Sequence, residues 1–240
     1  MNPSFSRTAL VLGDAAIDRL QAAHVAVLGL GGVGGYAAEA LARAGVGELT
    51  LIDEDVIGPT NLNRQLLATV DAIGQPKADA ATARAAAINP DCTLHPLRFR
   101  YEAAAREEFF AVRYDYIVDA IDLVSCKLDL IETAHARSIP IISALGTGDK
   151  LDASAFVTTD IAKTQGCHLA RVLRKELRNR GVTHHKVVYS PELPHRGEAA
   201  DHEAPPPGRR AIPGSTPWCP AVAGLLLAQS VVLDLTQTIL

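Results

Sequence analysis

The sequence predicts an α/β fold in which a doubly wound, mainly parallel β-sheet is flanked by helices. Short apolar runs alternate along the chain with longer helical patterns, and a glycine-rich turn joins the first predicted strand to the helix after it. The chain has 240 residues, of which 48% are hydrophobic and 21% are charged. This composition is typical of a globular protein, and we expect a single domain over 1–240.

Each predicted element follows from a local pattern. The first strand is the apolar run 24–30, and the helix over about 33–44 is rich in alanine, which suits close packing on a sheet. Gly45 is a natural end for that helix, and Pro76 is expected at the first position of another, where its missing N–H costs nothing. The remaining elements are strands at 48–53, 93–97, 114–120, 139–144 and 153–158 and helices at about 15–22, 76–88 and 127–137.

The C-terminal stretch 221–240 is apolar enough to be considered as a membrane span. It also carries several polar groups, including Gln229 and Asp234, and these favour a buried helix instead. The first seven residues lack the pattern of a signal peptide, and the four cysteines form no CxxC pair. We therefore expect a cytoplasmic protein without a paired-cysteine zinc site or a disulfide framework.

A proline-rich, charged segment covers about 192–214. It contains almost no apolar residues, so we expect a long flexible loop rather than a helix or strand. Two interpretations remain open, a cover over a functional site and a plain surface excursion.

The stretch 24–65 has the features of a nucleotide site. The turn after the first strand contains Gly29, Gly31, Gly32 and Gly34. Such glycines let phosphate approach the backbone at a helix N-terminus, and Asp53 ends the second strand, where a ribose-binding acid is expected. Asp55 follows it closely and is a further candidate for nucleotide binding. This pattern indicates a Rossmann-like sheet with its ligand at the carboxyl ends of the strands, but dehydrogenases and methyltransferases share it.

Positive and amide side chains follow this turn in the sequence. The loop NLNRQ supplies Asn61, Arg64 and Gln65, and Lys77 lies in the first turn of the next helix. A cation at a helix N-terminus opposes the macrodipole, so a nearby anion such as a triphosphate would explain Lys77. Lys77 also fits an exposed, solubilising lysine.

Two carboxylates mark the end of the strand in the motif DAID. Asp122 lies beyond the strand end, where it could hold Mg²⁺ beside phosphate oxygens, whereas Asp119 could simply cap a turn.

The ordered motifs GxGGxG, NLNRQ, QPK and DAID, together with the acidic strand end, resemble the ubiquitin-activating-enzyme-like superfamily of ATP-dependent adenylating enzymes over about 5–160. The resemblance implies ATP and Mg²⁺ as cofactors and a homodimer. It assigns Arg7 of the FSR segment to the partner's catalytic site, although Arg7 alone reads as an ordinary terminal arginine. The other residues that it assigns are Asp53 for the ribose, Asn61, Arg64 and Lys77 for the phosphates, and Asp122 for Mg²⁺.

The second half of the chain indicates a branch of this superfamily. The motif VTTDIAKT, followed by HLARVLRKELRNRG, resembles the tRNA threonylcarbamoyladenosine dehydratases. This resemblance implies ATP-dependent cyclisation of a modified adenosine through an acyl-adenylate. It fits seven basic residues against two acidic ones over 160–186. The predicted RNA-binding stripe is Arg171, Arg174, Lys175 and Arg178, although a solvated helix face gives the same pattern.

Two other functions remain open at this point. An activator of a ubiquitin-like sulfur-carrier protein would share the ATP motifs and would need a carrier or sulfur-relay partner, but such activators usually contain the zinc cysteines that are missing here. A nucleotide-binding module without catalysis, such as an NAD-dependent redox sensor, is the other. Cys219 and Cys167 are the candidate thiols, yet free cysteines are most often buried small hydrophobes.

Overall fold

A computed structural model describes residues 3–198 and 212–238. Its centre is a seven-stranded sheet of order β3-β2-β1-β4-β5-β7-β6, parallel throughout except for β6, which is antiparallel to β7. The doubly wound, mainly parallel sheet predicted from the sequence is therefore confirmed. The strands are β1 (His24–Leu28), β2 (Glu48–Ile52), β3 (Thr93–Leu97), β4 (Tyr116–Asp119), β5 (Ile141–Ala144), β6 (Val157–Asp160) and β7 (Lys186–Tyr189).

Eight α-helices are found within the described residues, and short 3₁₀ turns lie between several elements. Gly45 ends the third helix at a φ of 95°, the left-handed conformation expected of a C-terminal glycine. The helices are α1 (Ser6–Leu12), α2 (Asp14–Gln21), α3 (Gly34–Ala44), α4 (Lys77–Ile88), α5 (Arg106–Phe109), α6 (Val124–Ala136), α7 (His168–Asn179) and α8 (Trp218–Thr236).

The structure differs from the predicted elements in several details, and the helices α1 and α5 were not predicted. The strand expected at 153–158 begins only at Val157, because Ala153–Ala155 forms a 3₁₀ turn capped by the Asp152 carboxylate. Strand β7 was not predicted, since a run of four residues after a basic helix gives little periodicity. Pro76 precedes α4 in an extended conformation instead of occupying its first helical position.

The sheet separates two hydrophobic cores. On one face, α3, α4 and α8 pack with Val25 and Val27 of β1; on the other, α6 and α7 pack with Ala26 and Leu28. Helices α3 and α8 lie very close together at Gly224. Any residue with a Cβ at this position would overlap the carbonyl oxygen of Val33. This contact places the start of α8 beside the glycine-rich turn.

Helix α8 is long and apolar enough to cross a membrane by length and composition, and half of its apolar window is buried inside the protein. Cys219, Ala223, Leu227 and Val231 are fully buried in the core. Asp234 accepts hydrogen bonds from Tyr116 Oη at 2.6 Å and Lys186 Nζ. The helix therefore serves as a core helix, as the sequence predicted.

The predicted proline-rich loop at 192–214 lies partly outside the described residues, which omit 199–211. Its two described ends meet at Asp149, whose carbonyl accepts from His195 N at 2.8 Å and whose carboxylate accepts from Gly214 N at 2.7 Å. Asn63 Nδ2 donates to Ser215 O at 3.0 Å. These bonds hold the ends beside the loop that contains Arg64.

Candidate nucleotide-binding site

The glycine-rich turn connects β1 to α3 and touches the end of β4. Gly29 has a φ of 85°, and a Cβ there would lie 2.7 Å from the carbonyl oxygen of Ala120. A Cβ at Gly34 would overlap the carbonyl oxygen of Gly29. These two glycines are needed for backbone packing. At Gly31 the nearest atom to a Cβ would be Gln65 Nε2 at 3.9 Å, so this part of the turn is open to a ligand.

Asp53 is tied to this turn by backbone hydrogen bonds. Its Oδ2 accepts from Leu30 N at 2.7 Å and its Oδ1 from Asp55 N at 2.9 Å. Burial raises the pKa of the Asp53 carboxyl, and the positive charge of Lys77 acts in the opposite direction. A carboxylate has about four acceptor positions, so these two bonds leave capacity for ribose hydroxyls.

Lys77 is buried at the first position of α4, with only 5% of the residue exposed. Its Nζ lies 2.7 Å from Asp55 Oδ2 and 3.9 Å from Asp53 Oδ1. The two carboxylates offset the cost of a cation at a helix N-terminus. The interpretation of Lys77 as an exposed, solubilising lysine is therefore wrong.

Arg64 and Gln65 flank the open part of the turn. A Cβ at Gly32 would lie 3.5 Å from Arg64 Cγ. The guanidinium donates to Thr60 O at 2.9 Å and Asn63 Oδ1 at 3.0 Å, both neutral oxygens, and burial lowers its pKa. Gln65 Oε1 is buried without a hydrogen-bond partner among the described residues. These features fit a bound nucleotide. Arg64 can pair with its anionic groups beside the open backbone at Gly31, and Gln65 Oε1 can accept a hydrogen bond from one of its hydroxyl groups.

Two other predicted site residues lie nearby with local contacts. Asn61 Oδ1 accepts from Gly58 N at 2.9 Å and so closes its own turn. Asp122 is exposed and follows Ala120, the residue that touches Gly29. It therefore lies at the same carboxyl edge of the sheet as the glycine turn.

A buried polar network next to this edge was not predicted. Asp119 and Lys127 are fully buried, and Lys127 Nζ lies 2.6 Å from Asp119 Oδ2. Ser143 Oγ donates to the same oxygen at 2.5 Å, and His185 Nε2 lies 2.8 Å from Ser143 Oγ. Burial lowers the pKa of His185 to about 3, so its ring is neutral and its Nε2 proton can be donated to Ser143.

The sequence held a signal for this network. Lys127 falls on the buried side of α6, three and four positions before Leu130 and Ile131. A lysine on such a face requires a buried partner, and Asp119 at the end of the preceding strand was available. The turn-capping interpretation of Asp119 describes only its Oδ1, which accepts from Ile121 N at 3.1 Å.

Arg7 lies two residues after Phe5, which packs at the end of α3 remote from the glycine turn. Arg7 itself is exposed on α1, and the Phe5 ring lies against Gly45, where a Cβ would be 3.3 Å from it. Gly45 follows the last residue of α3, whereas the glycine turn lies at its beginning, about 16 Å away at 1.5 Å per residue.

The predicted RNA-binding residues lie on α7, and its buried side carries Leu173 and Leu177. Arg171, Lys175 and Arg178 are exposed. Arg174 is half-buried and donates to Thr164 O at 2.7 Å and Thr164 Oγ1 at 2.8 Å, so one of its nitrogens holds the protein's own loop.

The two candidate thiols differ in exposure. Cys219 is completely buried at the start of α8. Cys167 is half-buried and caps α7 by accepting from Ala170 N at 3.5 Å. A fully buried thiol without an adjacent base fits a packing role, as is usual for free cysteines.

Comparisons with known proteins identify the family to which this chain belongs. The sequence model of the ThiF family matches residues 5–238. The chain is 40% identical to the tRNA threonylcarbamoyladenosine dehydratase of Bacillus subtilis over 98% of this chain and 95% of that protein. It is also 36% identical to the molybdopterin-synthase adenylyltransferase of Salmonella typhimurium, over 59% of this chain and 56% of that protein.

A solved structure extends this similarity to the whole fold. The E. coli tRNA N6-threonylcarbamoyladenosine dehydratase, crystallised with ATP, superposes with a TM-score of 0.87 at 32% identity, covering 97% of this chain and 93% of that one. The family model covers nearly the whole chain, and the chain therefore belongs to the ThiF family.

Proposed function

We propose that this protein is an enzyme that uses ATP to dehydrate threonylcarbamoyladenosine in tRNA, closing the modification into a ring. ATP supplies the driving force, since the carboxylate of the modification displaces pyrophosphate from it and becomes an acyl-adenylate. A nitrogen of the same modification then forms a bond to the acyl carbon and loses its proton to solvent, and AMP leaves with the carboxylate oxygen. The net change in the nucleoside is the loss of one water.

The chain's own residues bind and orient the nucleotide in this proposal. Asp53 accepts hydrogen bonds from the ribose, and the open backbone at Gly31 lies against the phosphates. Arg64 and Lys77 neutralise negative charge that develops on the phosphates, and Asn61 contributes a polar contact. Preorganised charges of this kind act without reorganisation during the reaction, which is why they lower its barrier.

The observation that carries the proposal is the convergence of two cations on one glycine turn. Arg64 lies against Gly32, and Lys77 lies within 3.9 Å of Asp53, which itself holds Leu30 of the turn. A diphosphate bound by glycine backbone alone would not need both side chains. Gln65 Oε1 is buried beside Gly31 and has no hydrogen-bond partner among the residues that the structure describes, which supports a ligand with hydroxyl or amine donors at the same place.

The test is a reaction with purified protein, ATP, Mg²⁺ and tRNA that carries threonylcarbamoyladenosine. We expect ATP-dependent loss of the mass of one water from that nucleoside, with AMP as the nucleotide product, and no reaction with unmodified tRNA. Mild digestion is needed because the ring hydrolyses. AMP formation that depends on a carrier protein with a C-terminal Gly-Gly, and not on tRNA, would instead establish the sulfur-carrier alternative.

The proposal also assigns Mg²⁺ to Asp122. Mg²⁺ usually takes one or two protein carboxylates and fills its other positions with phosphate oxygens and water, which fits one exposed carboxylate at this edge. We expect Asp122→Asn to raise the Mg²⁺ concentration that gives half-maximal turnover by about tenfold or more, because the substitution removes the negative charge of one ligand. The measurement is turnover against Mg²⁺ at fixed ATP. An unchanged Mg²⁺ requirement would remove Asp122 from this role.

The exposed cations of α7 form the proposed tRNA contact. Each phosphate contact contributes about one unit to the slope of log affinity against log salt. We therefore expect Lys175→Ala/Arg178→Ala to weaken tRNA binding and to reduce this slope by about two units, without changing ATP affinity. Arg43→Ala, which removes an exposed arginine from α3, is the control. Equal slopes for the double variant and the control would exclude these side chains as phosphate contacts.

A homodimer in the cytoplasm completes the proposal. Arg7 is exposed on α1, two residues after Phe5 at the far end of α3, and the same helix exposes 87% of Leu10 and 82% of Val11. Apolar side chains this exposed support a subunit contact, through which Arg7 would reach the partner's ATP.

A further inference from the structure

A second cluster of potential ligands lies at the opposite edge of the sheet from the nucleotide site. His24 and Glu48 are the first residues of β1 and β2 and are paired in register. Glu48 is paired with Thr93 of β3, and His95 follows two residues later. Because side chains alternate along a strand, His24, Glu48 and His95 project from the same face of the sheet.

The distances between these groups are those of a preformed metal site. His95 Nε2 lies 2.8 Å and His24 Nδ1 lies 3.5 Å from the same oxygen, Glu48 Oε1. The three ligand atoms all lie within 4.8 Å of one another. A tetrahedral ion with bonds of about 2.0–2.1 Å places its ligands about 3.4 Å apart, so small side-chain movements suffice to bind one.

Neighbouring groups hold the buried histidine in position. Thr50 Oγ1 lies 2.8 Å from His24 Nε2, which leaves Nδ1 directed toward Glu48. The Tyr114 ring packs edge-on against the imidazole, with centroids 4.9 Å apart. A hydrogen bond on the second ring nitrogen is the usual support of a metal-binding histidine, because it fixes both the tautomer and the ring orientation.

We propose that His24, Glu48 and His95 bind one Zn²⁺ or a similar divalent transition ion. A set of two imidazoles and one carboxylate binds such ions in preference to Mg²⁺ or Ca²⁺. The Glu48 and His95 side chains are 39% and 43% exposed, which gives the ion a path from solvent.

The site would connect the first three strands at the edge opposite to the ATP site. The strand β1 is about 16 Å long, so the ion would not contact the nucleotide. Its expected effect is on stability, since an ion that binds only the folded state raises the free energy of unfolding. This makes the inference independent of the proposed enzymatic reaction.

The experiment is a Zn²⁺ titration of chelator-treated full-length protein, followed by calorimetry and by the thermal unfolding midpoint. We expect one Zn²⁺ per chain at this site and a higher midpoint. Co²⁺ should bind at the same site and give a visible absorption spectrum typical of an ion with a low coordination number. Glu48→Gln and His95→Gln should each weaken Zn²⁺ binding at least tenfold, the smallest effect typical even of supporting residues around a metal.

The matched control is His184→Gln. His184 Nδ1 lies 3.1 Å from Asp160 Oδ2, and its side chain is 80% exposed, so it forms a histidine–carboxylate pair outside the cluster. We expect this variant to bind Zn²⁺ as the unaltered protein does. Glu48 and His95 are both partly exposed, so their variants should fold, which circular dichroism checks. Failure of the protein to bind Zn²⁺, or equal affinity in all three variants, would overturn the proposal.

Discussion

Lys77→Ala should lower kcat for ATP-dependent dehydration by about 10²–10³-fold, the usual effect of removing one preorganised group that stabilises developing charge. The side chain is buried between Asp53 and Asp55 at the start of α4, so water cannot replace its charge efficiently. Without Lys77 the two carboxylates would repel the phosphates directly. The loss should therefore affect ATP binding as well as turnover.

The measurement is single-turnover formation of the cyclic nucleoside at saturating ATP and tRNA, together with ATP affinity by calorimetry. Lys77→Arg retains the positive charge and should keep more activity than Lys77→Ala. Arg43→Ala is the control, because Arg43 is exposed and pairs with Glu39 at the far end of α3. If Lys77→Ala is folded, with full turnover and unchanged ATP affinity, Lys77 has no role in the reaction.

The parts of the site that lie on regular elements could be predicted from the sequence. The turn from Gly29 to Gly34 joins a strand to a helix, and the sheet then fixes where Asp53 and Asp119 emerge. The topology alone brings the ends of β1, β2 and β4 to one edge. The positions of these residues could be predicted once the order of the strands and helices was known.

Contacts between residues far apart in the chain could not be predicted in the same way. The ion pair of Lys77 with Asp55 requires the exact path of the loop between β2 and α4, and the His24–Glu48–His95 cluster requires strand register. Neither depends on the periodicity of one segment. The same is true of β7, which is recognised as a strand only when β5 and β6 are in place on both sides.

Lys127→Met should have the largest effect on stability, lowering the free energy of unfolding by about 3–5 kcal/mol. The substitution keeps a long apolar side chain but leaves the fully buried Asp119 carboxylate without its counter-charge. Ser143 Oγ and Ile121 N would remain as its hydrogen-bond donors, and two neutral donors do not replace an ammonium group. In a chain of this size the loss corresponds to a fall of about 6–20 °C in the unfolding midpoint.

The double variant Lys127→Met/Asp119→Asn separates the charge effect from packing. It removes both charges and keeps an acceptor for Ile121 N, so it should recover most of the stability lost in Lys127→Met, because replacing a whole buried pair is far less costly than breaking it. Urea unfolding of both variants measures this recovery. The control is Lys163→Ala, at an exposed position of the 3₁₀ turn Ile161–Lys163, and its free energy of unfolding should stay within about 0.5 kcal/mol of that of the unaltered protein. Equal losses in the single and double variants would mean that the loss in Lys127→Met does not come from an uncompensated charge on Asp119. The end of β4 would then be held by Ser143 and the neutral His185 instead, and His185→Ala would become the more damaging change.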